Sequence, residues 1–245
     1  MDWINYLILF GSAFAGGMIA IMIRNPKKMN LNLMLTFSGA YLFGITVMHL
    51  IPEVSHHSEP LTGVYVLAGF LLQLILEQFS KGLEHGHIHP PDQAGSPYLF
   101  SIFIGLSIHA FLEGIPMASQ FHIEDARSPL LYGIALHKAP AAFALVSVFL
   151  AVKKNRNMAI VLLLLFSLMS PLGAWLFDIP NHSNVGHTHD HNHGEFNIII
   201  AIVVGSFLHI STTILFESGT KMHSISWYKA LAILVGAGFA FLTIW

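Results

Sequence analysis

The sequence predicts an all-α polytopic membrane protein with eight transmembrane helices. Three observations predict it. Eight apolar runs of roughly 18–24 residues recur along the chain, each long enough to cross about 30 Å of hydrocarbon as a helix. Charged residues make up only 10% of the 245 residues, against about 25% in a soluble domain, and mean hydropathy is +0.65. The basic residues also segregate. With both termini outside, the inner loops hold Arg24, Lys27, Lys28, Lys81, Lys153, Lys154, Arg156, Lys221 and Lys229, and the outer loops only Arg127. That nine-to-one split is the positive-inside pattern.

The composition also excludes several kinds of site. With no cysteine there is no disulfide, thiolate zinc site or iron–sulfur cluster. The formal net charge of −2 decides nothing, because position across the membrane matters more than the total. Sixteen histidines are the unusual figure, and they point to metal. Met1-Asp2-Trp3 has no basic region and no cleavage site, so it reads as the lead into span one and not as a signal peptide. No nucleic-acid partner and no organic cofactor is expected.

The spans are expected at about 5–23, 31–51, 62–80, 99–119, 129–151, 158–178, 196–216 and 228–245, in a single transmembrane domain over 1–245. Span one carries Gly11-Ser12-Ala13 and Ala15-Gly16-Gly17, small residues that let helices pack closely and leave room for a homodimer. Span two ends in His49 and Glu53, four apart and beside Pro52, with His56, His57 and Glu59 following. This is either a solvated helix end or a metal entrance.

Span three ends in Gln73 and Glu77 and runs into a loop at about 81–98. There Glu84, His85, His87 and His89 alternate among glycine and proline, a spacing suited to labile metal capture or to a plain polar linker. Span six contains Pro171 and no carboxylate before Asp178. The outer loop after it, about 179–195, carries His182, His187, His189, Asp190, His191 and His193. It is too short and too rich in Gly and Asn to pack a core, so it reads as a metal-scavenging loop. Span seven holds His209 at membrane depth, either as a hydrogen-bonded core residue or in the metal pathway, and Glu217 at its inner end. Glu77 and Glu217 are expected at the cytoplasmic exit. Gly39 in span two and Gly205 in span seven open similar stretches. Each is followed by a Glu, 14 and 12 residues on, at opposite faces of the membrane. That spacing hints at an inverted repeat of spans one to three and six to eight around spans four and five.

Spans four and five carry the costly groups. An ionisable side chain at bilayer depth costs roughly 3 kcal/mol on insertion scales and is kept mainly where it faces a pore or a site. His109 and Glu113 are four apart, on one helix face and about 6 Å apart along its axis. A His and a carboxylate so stacked can share one divalent cation, and His137 in the adjacent span supplies a third ligand. Pro116 and Pro140 would free the carbonyls of Leu112 and Leu136 into the same space.

These residues resemble those of the ZIP (Zrt/Irt-like) family of divalent-metal transporters. The resemblance runs through His49 to Glu53 in span two, through His109, Glu113 and Gly114 in span four, and through His137 to Ala142 in span five. It implies uptake of a divalent metal toward the cytoplasm and helices that move against one another like an elevator. The chain departs from the family pattern at Lys138, Ala141 and Ala142, where two-metal members carry an acid and a His-Glu pair, and at Ala110. The resemblance therefore implies one metal site, of the branch with His-x-x-x-Glu-Gly in span four and His-Lys in span five. In this reading His109, Glu113 and His137 hold one Zn²⁺, with Fe²⁺, Mn²⁺ or Cd²⁺ tolerated. Lys138 is either a built-in cation at the second site or a plain pore lining.

Two other functions compete. An intramembrane zinc hydrolase would use His49, His109, His137 and His209 with Glu113 as general base, but no HExxH occurs. A metal receptor or sensor would need only the loops. No enzyme activity is expected. The short loops favour a bacterial inner membrane.

Overall fold

The computed structural model describes residues 2–23, 31–56, 60–85, 90–91, 93–119, 121, 123–178, 192–217 and 226–243. Among them every regular element is helical. Span one is α1 (Trp3–Met22). Span two is α2 (Leu31–Ile45), a π-helical turn (Thr46–Leu50) and α3 (Ile51–His56). Spans three to five are α4 (Thr62–Ser80), α5 (Ser96–Gly114, prolonged by a 3-10 turn over Ile115–Met117) and α6 (Glu124–Lys153). Spans six to eight are α7 (Arg156–Asp178), α8 (Asn192–Glu217) and α9 (Trp227–Leu242).

The first seven spans are long and apolar enough to cross a membrane, and α9 is a shorter apolar helix of 16 residues. The chain is an integral membrane protein. Its outward side chains are those lipid requires, among them Leu67, Ile75, Phe100, Leu165, Leu234 and Phe241, all exposed.

The spans divide into an inner and an outer set. Spans two, four, five and seven have 56–67% of their most apolar stretch buried, against 17–33% for spans one, three and six. The inner four carry His49, His109, Glu113, His137, Lys138 and His209, so the costly groups are shielded from lipid by other helices.

Lipid supplies no hydrophobic drive between helices, so close packing must hold them. Glycines mark the crossings. A Cβ on Gly16 of span one would meet the Ala139 backbone of span five, and Gly114 of span four lies against Ser170 of span six. Gly69 of span three lies on the Ile202 carbonyl of span seven, and Gly205 of span seven lies on the Val66 carbonyl of span three. Gly236 of span eight meets the Phe37 carbonyl of span two. Exchanging one with six, two with seven, three with eight and four with five turns the first crossing into the second, and the span three–seven crossing into the span eight–two crossing. The contacts thus follow the inverted repeat that the Gly39 and Gly205 stretches hint at.

Two boundaries differ from expectation. Span two continues to His56 through the π-helical turn, whose closing bond runs from Ile51 N–H to Thr46 O. Pro52 explains it: the residue cannot donate to Met48, and widening the turn ahead of it accommodates the lost bond. Span five begins at Glu124, five residues before Pro129, which was expected to start it. The extra turn carries Arg127, whose guanidinium donates to the carbonyls of Met117, Ala118 and Phe121 at 3.0, 3.3 and 2.7 Å. Arg127 is thus bound to the chain connecting spans four and five.

Candidate metal centre

α5 places His109 and Glu113 on its buried face, one turn apart, along with Ile102, Leu106 and Ala110. α6 places His137 and Lys138 on the face toward them. All four are at most 1% exposed. One ligand atom from each of His109, Glu113 and His137 lies within 4.8 Å of the others. His109 Nε2 is 3.1 Å from Glu113 Oε1, and the two imidazoles meet edge to face with centroids 5.9 Å apart. His109 Nδ1 is buried and has no hydrogen-bond partner among the described residues. A cavity of about 210 Å³ reaches Glu113 between spans three, four, six and seven, walled by Leu72, Leu112, Phe177 and Phe207.

Lys138 is the fourth member. Its Nζ stands 2.5 Å from Glu113 Oε2 and 5.6 Å from the centroid of the Phe166 ring. A buried carboxylate without a cation is costly. The ammonium neutralises Glu113, and the ring face adds to its stabilisation. One expected oxygen is already engaged. The Leu112 carbonyl accepts from Ile115 N–H, because the chain tightens into a 3-10 turn before Pro116. Pro140 lies within α6 and has no N–H, so Leu136 O keeps its lone pairs.

The other expected site residues do not join this cluster. His49 Nε2 bonds Thr243 Oγ1 at 3.1 Å, tying span two to the end of span eight, and Glu53 is half-buried on α3. His209 Nε2 lies 2.6 Å from Glu77 Oε2, with the Phe70 ring 4.7 Å away edge-on. Three residues before His209 and four before Glu77, Ser206 donates to Gln73 Oε1 at 3.1 Å. His85 stands in a 3-10 turn over Leu83–His85, and Glu217 and His193 lie on α8; their side chains are outside the described residues. So are His87, His89, His182, His187, His189, Asp190 and His191.

Two features went unread in the sequence. Asp178, at the C-terminal end of span six, accepts from Tyr6 Oη at 2.6 Å and from the Ser119 N–H and hydroxyl at 2.5 and 2.6 Å, clamping spans one, four and six. Partners 59 and 172 residues away leave no local signal. Glu84, read as part of a capture loop, is 1% exposed.

The chain is 27% identical over 168 residues to Zinc transporter ZIP9-B of Xenopus laevis, covering 66% of this chain and 54% of that protein. It is 28% identical over 166 residues to Zinc transporter ZIP9 of Micropogonias undulatus, covering 66% and 53%. The chain spans about half the length of the curated relatives it matches. The family model described as ZIP Zinc transporter matches residues 84–243, a stretch that contains His109, Glu113, His137, Lys138 and His209. The chain belongs to the ZIP zinc transporter family.

Proposed function

We propose that the protein carries divalent metal, Zn²⁺ foremost, across the membrane toward the cytoplasm through one site formed by His109, Glu113 and His137. The observation that carries this reading is the convergence of three donor atoms within 4.8 Å on residues at most 1% exposed. Two imidazoles and one carboxylate are a donor set for zinc, and one that tolerates Fe²⁺, Mn²⁺ or Cd²⁺. Three protein ligands leave a position for water or the Leu136 carbonyl. A carrier needs such an open set, because it must strip water from the ion and then release it.

Lys138 serves as the built-in cation. Its ammonium holds Glu113 in the empty site and gives way when a divalent ion arrives. His49 and Glu53 belong to the outer approach, and Glu77, His209 and Glu217 to the inner one. The histidines of the two loops gather metal at either end. The nine-to-one split of basic residues supports termini on the outer side. Membership in a transporter family weighs against the hydrolase.

Purified protein in liposomes holding a zinc-sensitive dye tests the proposal. The expected result is protein-dependent influx that Glu113→Ala abolishes. Influx surviving that change refutes the site, and zinc binding without influx turns the reading to a metal receptor.

A further inference from the structure

The inner end of span three holds a second buried carboxylate that the metal site does not use. α4 ends in two successive left-handed residues, Lys81 at φ 58° and Gly82 at φ 67°, with Lys81 N–H closing on Glu77 O. Gly82 takes that conformation without strain, so the pair turns the chain sharply back toward the helices. The 3-10 turn Leu83–His85 then packs on α6 and α8. Leu83 and Glu84 are each 1% exposed. Glu84 Oε2 has no hydrogen-bond partner among the described residues.

A carboxylate is not buried this way without a compensating charge. The ammonium of Lys138, itself 1% exposed, interacts with Glu84 electrostatically. The turn bearing Glu84 packs on α6, the helix that carries Lys138, so Lys138 faces the charge of carboxylates from two parts of the chain. Glu113 comes from span four and holds its Nζ at 2.5 Å, and Glu84 comes from the inner side.

Resting on the metal site proposed above, we infer that Glu84 is the alternate seat of the Lys138 ammonium: when a divalent ion takes Glu113, the ammonium passes to Glu84. A dication arriving next to a buried lysine would otherwise leave two uncompensated cations in low dielectric. Glu84 supplies the missing negative charge and lets the lysine stay buried while Glu113 turns to the metal. It is a positioning residue, since it acts on the metal only through Lys138. The same exchange ties the turn Leu83–His85, and the histidines that follow it, to the loading of the site.

Zinc affinity of the full-length protein in detergent, measured by competition with a zinc-binding dye, tests this as a double-mutant cycle. Glu84→Gln is expected to weaken zinc binding about tenfold, a change of about 1.4 kcal/mol. Glu84→Asp should recover most of the loss, and in a Lys138→Met background Glu84→Gln should change nothing. Wild-type affinity in Glu84→Gln, or an undiminished loss in the Lys138→Met background, overturns the inference. Should Glu84→Gln not be recovered folded, the double variant decides. Removing both charges of a shared pair spares the fold, so a folded double variant supports the pairing and an unfolded one refutes it. Glu113→Gln separates this idea from the site beneath it. Zinc binding lost there but unaffected by Glu84→Gln sinks the exchange alone, whereas zinc binding retained in Glu113→Gln sinks the site.

Discussion

Two histidine–glutamate pairs lie among the helices, and their surroundings differ. At spans three and seven, His209 and Glu77 close on each other at 2.6 Å, with Gln73 and Ser206 bonded beside them. Among the described residues no third metal ligand joins that pair. At spans four and five, His109 and Glu113 are joined by His137, and the Lys138 ammonium stands 2.5 Å from Glu113. The difference teaches that a histidine and a carboxylate at membrane depth do not define a metal site. The proposed site adds a third donor and a counter-charge beside the carboxylate.

The sharpest way to break the comparison is to remove one ligand from each region. His109→Ala or Glu113→Gln should lower saturable zinc uptake by more than about 100-fold, since changes outside the ligand shell alone cost 10–100-fold. Uptake assayed in liposomes that stays saturable in both variants would end the assignment. The span three–seven interface should instead respond to packing. Gly205→Ala puts a methyl group against the Val66 carbonyl and should cost about 3 kcal/mol, read as a lower midpoint of thermal unfolding in detergent. Gly11→Ala, where a Cβ would meet nothing within 4 Å, should leave that midpoint unchanged and serves as the control.

Lys138 sharpens the contrast, because its ammonium stands 2.5 Å from Glu113. Lys138→Met should bind zinc about tenfold more tightly, because the metal no longer displaces an ammonium from Glu113. Zinc should also raise the thermal midpoint of that variant more than it raises the wild type. Weaker binding in Lys138→Met would show that the lysine supports the metal instead of competing with it. Protons are the other competitor. Metal needs neutral imidazoles, so affinity should fall as pH drops, by up to about tenfold per unit for each proton displaced. Zinc affinity measured across pH checks the sign, and tighter binding in acid contradicts the donor set.

Much of this was legible because helical spacing is local. His109 and Glu113 share a face by being four apart, and the apolar runs announce the spans directly. His137 was legible as an ionisable residue at membrane depth in the adjacent span, and the family pattern gave the same residue. What stayed hidden depends on partners far along the chain or on backbone detail. Asp178 finds Ser119 and Tyr6 only in the folded state. The π-helical turn before Pro52 was signalled by the proline and read only as a helix end. Glu84 was misread because polar residues between glycines and prolines look like solvated loop. Its burial depends on Lys81 and Gly82 both turning left-handed, which no local pattern in this stretch foretold.

The smallest expected effect tests whether the His209–Glu77 pair takes part in transport at all. If the pair lies on the inner route, metal leaving the central site must pass it while it is parted. Its ligands would then act after binding. His209→Ala should slow maximal uptake on the order of threefold, the scale of a modest coupling energy. The metal concentration giving half-maximal uptake should stay within about twofold of wild type, because the binding ligands are intact. A plain structural pair predicts the opposite balance: a lower unfolding midpoint with the uptake rate per folded molecule unchanged. Measuring both quantities on the same preparation separates the two. A rate loss that vanishes once folded protein is counted would assign the pair to packing and leave the site at spans four and five untouched.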